Sequence, residues 1–424
     1  MEAAVLQQCW DFGTADRVWA VPATPPVAAD GAPSEDETPA AGDVLSYPAA
    51  VVLLCGEGDF SFARSLVRAH TTAGTVCGAV GAAGGGPAKA AAPVVAADSP
   101  LFVCTSLDSE PTLHARYPQA ADNMAAIREA GGVVLNEIDA TTLPDCAAVG
   151  EIVQKGTRSG GRLVVIFNFP HHCGKGKIQV NRQLLHDFFG AAAAMILRHD
   201  DKRPGGRPSE VYVSLAPGQG GTDVDGPAQR GWGNSWQVVC RAAQAGLVCR
   251  GAFRFDAERW CAMGYAPRGR RFQGAGQFHV WRGVTHVFAP EQTGLHAVCS
   301  PTWRHDVGFW CHIAEGEGGG HGDDDPAATF FDEAVLVELV LQFVGSDLLA
   351  GNPERIRCEK QAELGLPPPT TDYEHRRAAY SHRLTYRVSY RASGERALSR
   401  ERATALQLKL RTAMQKSGLP ILLT

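Results

Sequence analysis

The chain has few of the features that would place it outside the cell or in a membrane. Its twelve cysteines are scattered singly, with no C-x-x-C pair. That excludes a dense disulfide framework, and it leaves Cys55, Cys104 and Cys240, which fall in apolar runs, as expected buried, reduced thiols of a cytosolic or nuclear compartment. No apolar stretch reaches the length of a membrane span. Residues 1–40 carry Asp11, Asp16, Asp30, Glu35, Asp36 and Glu37, an acidity at odds with a secretory signal or transit peptide. There is no solenoid-type repeat and no overall basic excess. The net charge of -5 excludes a uniformly basic nucleic-acid coat and leaves room only for a local patch. An intracellular soluble protein with no membrane partner is the expectation; oligomeric state is not legible.

What is present is ordinary globular material, 45% apolar and 20% charged over 424 residues, enough for two or three domains. Three composition shifts divide it. Residues 1–47 read as a lead-in, flexible from 21 to 44, where Pro22, Pro25, Pro26, Pro33 and Pro39 stand among alanines and acids. Residues 72–99 are a Gly/Ala low-complexity insertion, and 314–327, "AEGEGGGHGDDDPA", a flexible acidic loop. Between them, apolar strand-like runs at 50–55, 101–107, 132–138, 162–168 and 210–215 alternate with helical patterns at 60–70, 119–130, 178–198 and 234–246. That alternation predicts an α/β domain over 48–290, with a doubly wound parallel sheet and crossover helices. Ligands of such sheets lie beyond the carboxyl ends of the strands.

At the first strand end, "LLCGEGDFSF", Gly56 and Gly58 permit a tight turn, and Asp59 can cap a helix starting near Phe60; the turn from Gly56 through Glu57, Gly58 and Asp59 to Phe60 is the expected ligand-binding stretch. Ser61 stands where a dinucleotide fingerprint has its third glycine. Glu57 and Asp59 line this turn with negative charge, which repels a pyrophosphate and favours a cation. The second end, "TSLDSE", places Asp108 for a ribose diol. The third, "NEIDATT", places Asp139 and Ala140 at the edge of an adenine. Ribose and adenine without phosphates, carrying a sulfonium and an ammonium, describe S-adenosylmethionine as the expected cofactor.

The fourth end, "RLVVIFNFPHHCGKGK", runs from a buried-type strand into Asn168, Phe169, Pro170 and His171. Proline fixes the backbone there. The Asn168 amide oxygen and Phe169 carbonyl offer two acceptors to a nucleobase N–H edge, Phe169 or His171 a stacking face, and Lys175 and Lys177 a grip on phosphate. His171, His172 and Cys173 are adjacent on one loop, which matches no common metal-ligand spacing, so no metal is expected.

These segments, with "YPQAADNMAAIREAGGVVLNEIDATTL", "NRQLLHDFF" and "GYAPRGRRF", resemble the 25S rRNA (uridine-N3)-methyltransferase-like domain over about residues 48–290. The resemblance implies a Rossmann-like, S-adenosylmethionine-dependent RNA methyltransferase acting on N3 of a uridine, in cytoplasm or nucleolus. Two departures stand out: the insertion before Leu101, and His172-Cys173, where relatives more often carry a small or aliphatic residue.

Residues 299–424 resemble a different module. "SPTWRHDVGFWC", "FFDEAVLVELVLQFV", "SHRLTYRVSYRASGERALSRERATALQLKLRTAM" and "GLPILLT" are similar to the ferredoxin-fold anticodon-binding domain that ends the phenylalanyl-tRNA synthetase beta chain. Read by itself, this region has the order strand, helix, strand, strand, helix, strand, an α+β ferredoxin-like domain. Period-two spacing puts Arg383, Arg387 and Arg391 on one face of a strand. Residues 372–424 hold eleven lysines and arginines against four acids, an expected RNA-phosphate surface. The whole resembles proteins that fuse both modules. Its substrate is rRNA on the first resemblance, with tRNA pointed to by the second. The alternative is a catalytically inactive RNA-binding assembly or scaffold protein that keeps the fold without the chemistry.

Overall fold

A computed structural model of the chain describes residues 49–78, 100–156, 161–172, 177–203, 208–268, 279–291, 297–312, 331–344, 356–365, 382–392 and 396–424. The lead-in, the loop at 314–327, Lys175 and all of the insertion after residue 78 lie outside these residues. The chain divides into two compact units, Met1–Pro290 and Glu291–Thr424.

The first unit is built on a seven-stranded sheet in the order β3-β2-β1-β4-β5-β7-β6. Its strands are β1 (Ala49–Cys55), β2 (Leu101–Thr105), β3 (Val133–Leu135), β4 (Arg162–Asn168), β5 (Glu210–Leu215), β6 (Leu247–Arg254) and β7 (Val284–Pro290). Helices α1 (Ser61–Gly78), α2 (Glu110–Arg116), α3 (Ala120–Glu129), α4 (Ala147–Gly156), α5 (Ile178–Asp200), α6 (Val238–Gln244) and α7 (Ala257–Ala262) fill the connections. Strands β3, β2, β1, β4 and β5 are parallel, as the alternation predicts. Strand β7 is antiparallel to both β5 and β6, so the sheet is mixed at one edge.

Central strands are apolar on both faces because both are covered. Val52 and Leu54 pack with Phe62, Leu66, Met124 and Ile127 of α1 and α3. On β4, Phe167 meets Phe188 of α5, ring centroids 4.8 Å apart. Side chains of this size contribute about 1.5–3 kcal/mol each when fully buried.

The structure adds β6, α2, α4 and α7 to the elements read from the sequence, and it differs from that reading at three further places. Helix α1 runs on to Gly78, seven residues into the stretch read as an insertion. The pattern at 234–246 yields only α6, since Gln237 holds a left-handed φ of 56° that a helix interior excludes. Strand β7, "VTHVFAP", is absent from the sequence reading. Its Thr285 and His286 break the apolar run, yet both are fully buried. Ser214 Oγ pairs with Thr285 Oγ1 at 2.9 Å, and His286 Nε2 with Thr222 Oγ1 at 3.0 Å. Burial brings His286 down to about 4, so it sits neutral in the core.

The second unit has the order β8 (Thr302–Cys311), α8 (Glu333–Val344), β9 (Ile356–Gly365), β10 (His382–Arg391), α9 (Arg400–Lys416) and β11 (Ile421–Leu423). Its antiparallel sheet runs β11-β8-β10-β9, the split βαββαβ arrangement. Leu384, Tyr386, Val388 and Tyr390 alternate inward on β10. Trp303 Nε1 donates to the Leu398 carbonyl at 2.6 Å, and Tyr390 donates its hydroxyl proton to Gln407 Oε1, so these polar atoms are satisfied as the face packs.

Candidate active site

The turn after β1 needs glycine at its first position. Gly56 has a φ of 68°, and a Cβ there would lie 2.4 Å from Phe167 Cε2. A side chain is therefore excluded on both backbone and packing grounds. The Glu57 N–H donates to the Thr105 carbonyl at 2.9 Å, which locks the ends of β1 and β2 together.

Both turn carboxylates serve the start of α1. Glu57 Oε2 accepts the Ala63 N–H at 3.2 Å; Asp59 Oδ1 accepts the Ser61 N–H at 3.0 Å and the Ser61 hydroxyl at 2.6 Å. Each satisfies orphan amides of the helix N-terminus. Burial, opposed by the Ala63 N–H and reinforced by the Asp59 charge, pushes the Glu57 carboxyl up to about 8, and burial raises Asp59 as well. Asp59 Oδ2 is buried with no hydrogen-bond partner; its cation is Arg268, with Nε at 3.9 Å. Phe60 differs from its expected place at the ligand. With φ at 60° its ring turns into the core, fully buried, and contributes the turn's shape instead.

A cavity of about 550 Å³ opens over this turn, and the strand ends named from the sequence converge on it. Gly56, Glu57, Gly58 and Asp59 form one wall. Asp108, Asp139 and Ala140 border it from the ends of β2 and β3. Asp108 Oδ2 is held by Arg116 Nη1 at 2.6 Å, and Asp139 Oδ1 accepts the Thr141 N–H and hydroxyl at 2.8 and 2.7 Å.

Asn168, Phe169, Pro170 and His171 form the facing wall, and two of them differ from the sequence reading. Asn168 Oδ1, expected to face a base, accepts the Ser214 hydroxyl at 2.7 Å. Its Nδ2 is the buried atom without a partner, so the side chain presents a donor. Phe169, one of the two residues expected to offer a stacking face, packs its ring against Phe255, edge to face at 4.9 Å, from a backbone φ of 48°. The Phe169 carbonyl receives His171 Nδ1 at 3.0 Å. A carbonyl only accepts, so Nδ1 carries the proton and Nε2 is the basic nitrogen of the neutral ring. His171 also meets the edge of Trp236 at 4.9 Å. Lys177 is the N-cap residue of α5 and exposed.

The sequence reading missed the strap formed by Tyr265, Ala266 and Arg268. Tyr265 and Arg268 line the cavity, and the Ala266 N–H donates to Ser61 Oγ at 3.0 Å. The signal is present in "GYAPRGRRF", a motif of the family resemblance whose residue types do not themselves declare a role. Ser214 and Trp236, which set Asn168 and His171, carry no local signal. Among the described residues no cluster of His, Cys, Asp and Glu is arranged to hold a metal ion, and no helix is long and apolar enough to cross a membrane. Cys55, Cys104, Cys146, Cys240, Cys249, Cys261, Cys299 and Cys311 are free thiols.

In the second unit, Arg383 and Arg391 are exposed on β10. Arg387 differs from the expected open row: its Nε and Nη2 form a two-pronged pair with Asp306 at 2.8 and 2.9 Å, which holds the Asp306 carboxyl below its usual range. Asp306 lies opposite Arg387 in the β8–β10 register, a pairing that no local pattern announces.

Comparison with known proteins adds a family match over residues 53–269, to the family described as rRNA (uridine-N3-)-methyltransferase BTM5-like. Human ferredoxin-fold anticodon-binding domain-containing protein 1 is 32% identical over 238 residues, 56% of this chain and 30% of the human protein. The mouse homolog is 32% identical over 237 residues, with the same coverage. Heavy metal-associated isoprenylated plant protein 41 of Arabidopsis thaliana is 28% identical over 169 residues, 36% of this chain and 26% of that protein. The chain thus matches less than a third of the length of each of these relatives.

Proposed function

Because the chain belongs to the BMT5-like rRNA (uridine-N3-)-methyltransferase family, we propose that its first unit transfers a methyl group from S-adenosylmethionine to N3 of a uridine in rRNA. The observation that carries this reading is two polar side chains that line one cavity, each with a buried atom that no hydrogen bond satisfies: Asp59 Oδ2, an acceptor whose cation is Arg268 with Nε at 3.9 Å, and Asn168 Nδ2, a donor. Leaving either unpaired costs about 1–3 kcal/mol, so each calls for a ligand of opposite polarity.

The residues present fit S-adenosylmethionine. Gly56 keeps the turn open to close approach, Glu57 and Asp59 suit a cationic amino-acid end, and Asp108 and Asp139 suit a ribose and an adenine edge. When bound, that cofactor supplies an electrophilic methyl group on a positively charged sulfur. The acceptor wall does the rest. N3 of uracil becomes nucleophilic only as its proton leaves. A donor at Asn168 Nδ2, directed to a uracil carbonyl, stabilises the negative charge that develops. The Ser214 hydroxyl takes the Oδ1 end of the Asn168 amide. The Phe169 carbonyl holds the Nδ1 proton of His171, so Nε2 is the atom placed to take the N3 proton.

The test is twofold. Titration with S-adenosylmethionine should give heat and thermal stabilisation of the protein; nucleoside mass spectrometry of rRNA treated with the protein and cofactor should show 3-methyluridine. Cofactor binding without methylated rRNA, or no cofactor binding at all, would leave the RNA-binding scaffold as the function.

A further inference from the structure

We propose that the loop after β5 and the turn before β7 form a stacking site for unpaired RNA bases, with Trp232 and Trp281 as platforms and Arg230 and Arg282 as their phosphate partners. The inference rests on the reading that the first unit acts on RNA. It concerns the nucleotides that flank the target rather than the target itself.

The position comes from the sheet. Because β7 is antiparallel, its first residue, Val284, lies opposite Leu215 and Arg254, the last residues of β5 and β6. The turn carrying Trp281 therefore stands at the carboxyl edge of the sheet, where the cavity opens. Both segments touch the acceptor wall. A Cβ on Gly283 would lie 2.9 Å from Phe169 Cε1, and Trp236 meets His171.

The two tryptophans remain 43% and 44% exposed. Lone exposed apolar residues are common, but these sit on backbone that is held firmly. Buried Arg182 donates to the carbonyls of Trp232, Gly233 and Ser235 at 2.9, 3.1 and 2.6 Å. Asp225 accepts the Gly218 and Thr222 N–H groups at 2.9 and 3.0 Å. Arg282 holds a left-handed φ of 59°, an uncommon and costly state for a residue other than glycine. Rigid loops with wet indole rings at an active-site rim fit stacking better than folding.

The chemistry selects single-stranded RNA. Each tryptophan has an exposed arginine within two residues, in Arg230-Gly231-Trp232 and Trp281-Arg282, so a base plane and its phosphate can be met together. The acids of the loop after β5 are occupied: Asp225 with the backbone amides above, Asp223 with Gln229 Nε2 at 3.0 Å. Bases inside an A-form duplex are stacked on each other and offer no free face, whereas looped or single strands do.

The experiment measures binding of a short oligouridylate, and of the same strand in a duplex, to the whole chain and to W232A, W281A, the double variant and W232F. Each alanine should weaken single-strand binding by about fivefold to a hundredfold, the equivalent of about 1–3 kcal/mol per stacked base, and W232F should retain most of it. The duplex should compete poorly. An unchanged affinity for S-adenosylmethionine certifies the fold of each variant. Unaltered single-strand affinity in the double variant, no single-strand binding by the parent at low salt, or preference for the duplex would overturn the proposal. Methyl transfer by the parent is scored separately. A parent that methylates rRNA beside a double variant of full RNA affinity sinks the stacking site alone; a parent that transfers nothing beside a double variant that loses RNA sinks the methyl-transfer reading alone.

Discussion

The two walls of the cavity solve opposite electrostatic problems with the same device. On the β1 side, two carboxylates are drawn out of water, and helix amides satisfy all of their buried oxygens but Asp59 Oδ2. On the β4 side, a neutral amide is drawn in, and Ser214 satisfies its oxygen while Nδ2 is left over. Each wall is largely paired within the protein, which fixes its geometry, and each keeps one atom in reserve. The difference lies in charge. The first wall is acidic, with a Glu57 carboxyl that takes up its proton near pH 8; the second turns on the neutral Asn168 amide. A methyl transfer of the proposed kind calls for that split, a cation held on one side and a developing anion on the other.

The sharpest way to break the comparison is to remove one wall's shape. Gly56→Ala places a methyl 2.4 Å from the Phe167 ring at a φ of 68°. Denaturant unfolding should show a loss of about 2–5 kcal/mol from strain and overpacking together, with cofactor binding lost as well. Next in size, Asn168→Ala should lower methyl transfer by about 10²–10³-fold, the usual cost of one preorganised donor, while calorimetry shows cofactor affinity within a few-fold. A parallel collapse of cofactor affinity would move Asn168 from the acceptor wall to the donor wall.

A subtler test uses the charge difference. The Glu57 carboxyl lies at about 8 in the folded chain against 4.5 ordinarily, so the folded state keeps a proton that the unfolded state releases. Glu57 therefore favours folding most at low pH, and that contribution declines as pH rises from about 4.5 to about 8. Melting temperatures of the ligand-free protein should follow this trend, and Glu57→Gln should flatten it. Affinity for a cationic cofactor should run the other way, rising toward about pH 8 with proton release on binding; an affinity independent of pH in this window would show that Glu57 stays protonated with ligand present.

The smallest expected effect concerns the second unit. Replacing Arg383, Arg387 and Arg391 together by Gln should weaken RNA binding and flatten its salt dependence, by about 0.7–0.9 in the log–log slope for each phosphate that the arginines neutralise. Arg387 is already paired with Asp306, so a change equal to about two phosphates is expected rather than three. An identical slope in parent and variant would make the row a solvated face.

Much of this site was legible before any coordinates. Gly56, Gly58, Asp59, Asp108, Asp139 and Asn168 all stand just past apolar strand runs, and the carboxyl edge of a parallel sheet gathers such positions whatever the loop lengths. Orientation was not legible. Whether Phe169 stacks on a ligand or packs on Phe255, and which end of the Asn168 amide is presented, depends on partners 86 and 46 residues away in sequence. Strand β7 escaped notice because Thr285 and His286 look polar until Ser214 and Thr222 are brought beside them.

Local sequence thus determined the repeating element order, the turns that only glycine can make, and the caps of α1, since each depends on residues within a few positions of one another. Tertiary structure alone decided the antiparallel edge of the sheet, the Arg387–Asp306 pair, the strap from Tyr265 to Arg268 over Ser61, and the two polar atoms left unpaired in the cavity. Hydrogen-bond satisfaction is a property of neighbours in space, and a separation of 205 positions between Ala266 and Ser61 leaves no trace of that neighbourhood in the order of the chain.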